Sequence, residues 1–121
     1  MRKLSHDISI VGAGPVGLAL ANCLVRSPAI CSIAMIDRKI PSALELPYAV
    51  PSQRVYAINS PSLKVLESIG VLTKIRQMGR LEHIEVMSKE AGQFVEWREH
   101  NARIIENDEM VNVLREELMN G

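Results

Sequence analysis

Three glycines within six residues, Gly12, Gly14 and Gly17, leave this chain few ways to fold. They form the stretch Val11-Gly12-Ala13-Gly14-Pro15-Val16-Gly17, a GxGxxG spacing. Before it, Asp7 to Val11 is short and rich in β-branched residues, as a buried parallel strand should be. After it, Pro15 suits the first helical position, where no backbone donor is needed, and Val16 to Arg26 supplies helix formers up to Ser27-Pro28. In a strand–turn–helix, Gly12 permits the sharp exit from the strand. Gly14 lets the backbone approach a pyrophosphate, and Gly17 lets the helix pack close to the strands. A diphosphate would then face free N–H groups and the positive end of the helix dipole.

The spacing alone is a weak signal, and an incidental glycine turn is the bland alternative. Here its context is present on both sides. Cys31 to Ile36 is a second apolar strand, and it finishes at Asp37, 20 residues past Gly17. That is where a carboxylate meets the ribose hydroxyls of a dinucleotide. The βαβ unit by itself does not choose among FAD, NAD and NADP. Asp37 opposes a 2′-phosphate; Arg38 beside it weakens that argument.

The rest of the chain reads as additions to this unit. Residues 38–59 are expected to be a cofactor loop; its first part, with Pro41, Pro47 and Pro51, has no stable period, and a loop of this length has a binding role or is disordered. Ser60 caps a helix with Pro61 at its first position, and Gly70 ends it in a left-handed conformation. A second short helix is expected from Leu72 to Met78, stopping at Gly79, so that helices fill 60–79. Leu81 to Met87 and Gln93 to Arg98 suggest a β-hairpin, 81–98, and Ile104-Ile105 a brief extended piece. Asn107 and Asp108 open a final helix, 108–119. The expected fold class is α/β: a Rossmann-like dinucleotide-binding βαβ unit, 7–37, with additional helices, a β-hairpin and an incomplete parallel sheet.

Composition removes several alternatives. Charges balance at 14 basic against 14 acidic, and only 3% of residues are aromatic, which argues against a nucleic-acid partner. The stretch from Ile8 to Val25 carries no charge but holds three glycines and Pro15, so a strand and a buried helix explain it better than a membrane span or a targeting segment. Cys23 and Cys31 lack any ligand or redox spacing and are expected to be reduced, mostly buried thiols. His6, His83 and His100 show no ligand pattern, so no metal site is expected. Glu82, Glu85, Glu96 and Glu99 read as a solvated hairpin face, and no side chain stands out for acid–base catalysis.

The choice of cofactor comes from the middle of the chain. The segment Gln53-Arg54-Val55-Tyr56-Ala57-Ile58-Asn59, followed by Ser60 to Val71, resembles the FAD-dependent aromatic-ring hydroxylases of the p-hydroxybenzoate hydroxylase type, in particular their ubiquinone-biosynthesis branch. That branch has an Arg-x-x-Ala-Leu/Ile-Ser/Asn segment, a helix ending in a Leu-Gly-Val-like corner, and later a segment that Ile104-Ile105-Glu106-Asn107 resembles. The resemblance implies that Gly12, Gly14, Pro15, Val16 and Gly17 hold the FAD diphosphate and that Asp37, with Arg38 beside it, meets the adenosine ribose. It further implies that Arg54 contacts the flavin and that Asn107 lies near the cofactor. Ser52 departs from the acidic residue that the family often has there.

The same resemblance implies that NAD(P)H reduces the flavin, that O₂ is activated on it, and that an electron-rich ring is hydroxylated. The substrate would be an aromatic or polyprenyl-phenol compound. Partners would be other ubiquinone-biosynthesis proteins, and the location cytoplasmic or peripheral to the inner membrane. The family's later Asp-Gly and Gly-Asp-Ala segments do not occur here, so the expectation is an N-terminal portion of a longer hydroxylase, inactive alone. An NAD-dependent or other flavin oxidoreductase and a non-catalytic nucleotide-binding remnant remain the alternatives.

Overall fold

The computed structural model describes residues 6–30, 32–38 and 54–120, and within the last stretch only the backbone of 97 and 99–101. Cys31, most of the expected cofactor loop and Ser52 lie outside the described residues.

Strand β1 (Ile8–Val11) pairs in parallel with β2 (Ile33–Ile36), in a register that sets Ile8 beside Ile33 and Val11 beside Ile36. Helix α1 (Pro15–Leu24) makes the crossover between them. The entry to the pair is fastened reciprocally: the Asp7 N–H donates to Ser32 Oγ at 3.1 Å, and the Ser32 N–H donates to Asp7 Oδ2 at 3.0 Å. The mixed α/β class expected from the sequence is what the chain adopts, with a parallel and an antiparallel sheet.

The antiparallel sheet has β3 (Val55–Ile58), β4 (Met78–Met87) and β5 (Phe94–Glu106) in the order β3-β5-β4. It is larger than the expected hairpin. β5 absorbs Ile104-Ile105, whose neighbours are Ala57 and Tyr56 on one side and Gly79 and Met78 on the other. Helix α2 (Ser60–Ser68) follows β3, and α3 (Asn107–Asn120) follows β5 directly.

Three local expectations are corrected. The cap of α2 is Asn59, whose Oδ1 accepts from the Ser62 N–H at 3.0 Å; Ser60 and Pro61 are already helical. The expected helix over 72–78 is a single 3₁₀ turn, Leu72–Lys74, and Gly79 lies inside β4. Pairing with β5 captures Met78 and Gly79, while the carboxylate of Glu109 accepts from the Arg76 and Gln77 N–H groups, which therefore need no helix. The last helix begins at Asn107, one residue before the expected boundary.

The core forms where α1 and α3 meet. Leu18, Leu66, Ile69, Val71, Ile75 and Ile105 close around Met110, Val113 and Leu114 of α3. Each such side chain contributes about 1.5–3 kcal/mol by leaving water. Asn22 is the most buried of three buried polar residues, with Glu109 and Asn112: its Nδ2 donates to the carbonyls of Leu18 and Leu114, both at 2.9 Å. Because α1 turns Leu18, Ala21 and Asn22 inward, Cys23 faces solvent, contrary to the buried thiol expected.

Outside the core, the Glu117 carboxylate ion-pairs with Lys74 and Arg26. Arg26 also donates to the carbonyls of Ser68 and Ile69 where α2 ends. A cation at that end offsets the negative pole of the helix and serves its unpaired acceptors.

Candidate functional site

The backbone leaves β1 through Gly12 at φ +111°, a conformation costly for any residue with a Cβ. The Gly12 N–H donates to the Ile36 carbonyl at 2.7 Å, carrying the parallel ladder one step past the strand. The Ala13 N–H then donates to Asp37 Oδ2, also at 2.7 Å. The acidic residue ending β2 thus meets the glycine turn ending β1. The turn is fixed from the β2 side before any ligand is considered.

Gly14 caps α1 in an extended conformation without a side-chain cap, Pro15 takes the first helical position, and the Leu18 N–H donates to the Gly14 carbonyl. No acidic residue stands in the first turn of α1. A methyl group built on Gly14 would meet no atom within 4 Å. Val16 next to it is 84% exposed, and so is Val11 at the strand end. The helix start is therefore open, free of carboxylates in its own first turn and positively polarised, which suits a diphosphate. Gly17 serves the packing instead, since a Cβ there would collide with the Gly12 carbonyl. Arg38 is exposed beside Asp37.

Arg54 and Asn107 form a second group. The Asn107 N–H donates to the Arg54 carbonyl at 2.9 Å, continuing the β3–β5 ladder. Asn107 Oδ1 accepts from the Tyr56 hydroxyl at 2.9 Å, and its Nδ2 donates to Asp108 Oδ1 at 3.1 Å. Tyr56 is the residue that sequence reasoning does not single out. Its link to Asn107 follows from the pairing of Tyr56 with Ile105, which no local pattern announces.

The two groups sit on elements that meet around a small apolar cavity of about 230 Å³. Pro15 and Val16 line it from α1, Ile58 from the end of β3, Ser62 and Val65 from α2, and Met110 from α3. Neither Arg54 nor Asn107 lines it. A larger groove of about 470 Å³ opens from Ala13 along α1, the β1–β2 sheet and α3; Arg115 is the one charged residue lining it among the described residues. No helix among the described residues is long and apolar enough to cross a membrane.

The family described as FAD binding domain matches residues 5–118. No curated protein matches the chain. Among solved structures, the peptidyl tryptophan dihydroxylase QhpG, essential for tryptophylquinone cofactor biogenesis, is similar with a TM-score of 0.51 at 18% identity, over 97% of this chain and 24% of that one. The tetracycline destructase Tet(51) is similar with a TM-score of 0.55 at 19% identity, over 95% of this chain and 28% of that one. The chain therefore spans about a quarter of the length of these structural neighbours.

Proposed function

The chain belongs to the FAD binding domain family, and from that premise we propose that it is the FAD-holding portion of a flavin-dependent monooxygenase that hydroxylates an aromatic ring. The observation that carries this reading is the meeting of Asp37 with the glycine turn at Ala13, beside a helix start left open at Gly14. Gly12, Gly14, Pro15, Val16 and Gly17 hold the diphosphate, mainly through backbone N–H groups and the helix dipole. Asp37 receives the ribose hydroxyls, with Arg38 flanking it. Arg54 and Asn107 orient the far half of the cofactor, Asn107 being held in place by Tyr56.

Bound FAD supplies the redox chemistry, with NAD(P)H as reductant; the protein supplies binding, orientation and exclusion of water. The name of one structural neighbour, a dihydroxylase, is in keeping with hydroxylation. A polyprenylated ubiquinone precursor as the ring substrate rests on the resemblance carried by Gln53 to Val71 and Ile104 to Asn107.

The test is a titration of the chain with FAD followed by flavin fluorescence, with ADP and NADH as competitors. Saturable FAD binding that ADP displaces supports the reading. A preference for NADH counts for the dehydrogenase alternative, and a folded chain that binds no nucleotide is a remnant or needs further segments to complete the site.

A further inference from the structure

The β4–β5 hairpin carries a second cluster, separate from the glycine turn. Glu85 on β4 stands directly opposite Glu96 on β5, and His83, two residues before Glu85, shares their face. His83 Nε2 lies 3.1 Å from Glu96 Oε1 and 3.6 Å from Glu85 Oε1. One ligand atom from each residue can be chosen so that all lie within 4.8 Å of one another. The ladder slips between Leu81 and His83, and such an irregularity re-aims the side chains that follow it.

Two carboxylates directly opposed across a ladder repel each other and weaken the pair. Among the described residues, no lysine or arginine ion-pairs with either of them; the neighbour they share is His83. A divalent cation seated between them turns the repulsion into bonds to both strands. The donor set is one imidazole nitrogen and two carboxylate oxygens. Hard ions such as Mg²⁺ take oxygen donors, while zinc-type ions take both kinds. Zinc bonds to such atoms are about 2.0–2.2 Å long, so two ligands at the tetrahedral angle lie about 3.4 Å apart. The His83 contacts at 3.1 and 3.6 Å are already near that spacing, and rotamer adjustment of the exposed carboxylates draws the remaining pair together.

We propose that His83, Glu85 and Glu96 form a binding site for a zinc-type divalent cation, which cross-links β4 to β5 and keeps an open position for water. The site was hidden in the sequence because its members belong to different strands and meet only through register. It stands independently of the cofactor assignment.

The experiment is calorimetric titration of the full chain with Zn²⁺ at neutral pH, and with Mg²⁺ for comparison. One zinc per chain should bind saturably, with affinity reduced at least tenfold by His83→Ala and by Glu96→Gln and unchanged by His6→Ala. Magnesium should give no comparable signal. In parallel, Zn²⁺ should shift the backbone amide resonances of 83–85 and 94–98 together in the unsubstituted chain, a readout that no variant's folding can spoil. Wild-type zinc affinity in both site variants, or resonance shifts scattered away from the hairpin, overturns the proposal.

Discussion

A Cβ on Gly17 would stand 2.0 Å from the carbonyl oxygen of Gly12 and 3.0 Å from its carbonyl carbon. The obstacle is backbone, held in turn by the Gly12 N–H bond to Ile36, so it cannot swing aside as a side chain would. Gly17→Ala should therefore prise α1 from β1 and cost about 1–3 kcal/mol or more, as overpacking does. A lower urea midpoint with an unchanged m-value would display it.

Gly14 should behave in the opposite way. Its φ of −84° suits any residue, and a side chain there meets open space. Gly14→Val should leave the thermal midpoint near that of the parent while weakening FAD and ADP binding at least tenfold. The comparison of the two glycine variants separates the fold from the site.

Asp37 has a part in both. Removing its carboxylate takes away the acceptor of the Ala13 N–H, a charge-assisted bond of the kind that contributes about 1.5–3 kcal/mol. Asp37→Ala should weaken ADP binding by about tenfold or more. Asp37→Asn keeps an acceptor for Ala13 and should recover part of the loss. Fluorescence titration of the two variants side by side checks this.

Asn22→Ala should lower stability by about 1–3 kcal/mol, because the bridge from α1 to the Leu114 carbonyl is lost inside the core. Chemical denaturation monitored by circular dichroism measures it.

The hydrogen bond from Lys74, then its charge and that of Arg26, hold the Glu117 carboxyl below the ordinary value of 4.5. A group whose folded pKa is lowered stabilises the fold above its unfolded pKa and loses that contribution as the pH falls through the folded one. Stability should thus drop on acidification below about pH 4.5, and Glu117→Gln should make that acid limb shallower. Thermal midpoints between neutral pH and pH 3 decide the matter.

What could be read in the sequence was local. The turn at Gly12, at φ +111°, and the left-handed Gly70, at φ +80°, follow from spacing and backbone sterics, and both are found so. What could not be read depends on partners far along the chain. Met78 and Gly79 continue a helical-looking stretch, yet become strand because β5 offers them a ladder. Tyr56 gains a role through Asn107, and His83 gains its carboxylates through strand register. Ser60 has the look of a cap because Pro61 follows it; Asn59 captures the helix one residue earlier.

The bond from Asn22 to Leu114 spans 92 residues of chain. The helix that carries the glycine turn therefore waits for its packing partner until nearly everything between has been made, on the order of ten seconds at typical translation rates. Contacts so remote in sequence form late, after loop closure has been completed. During synthesis the face of α1 that carries Leu18 and Asn22 is accordingly without its α3 cover until late.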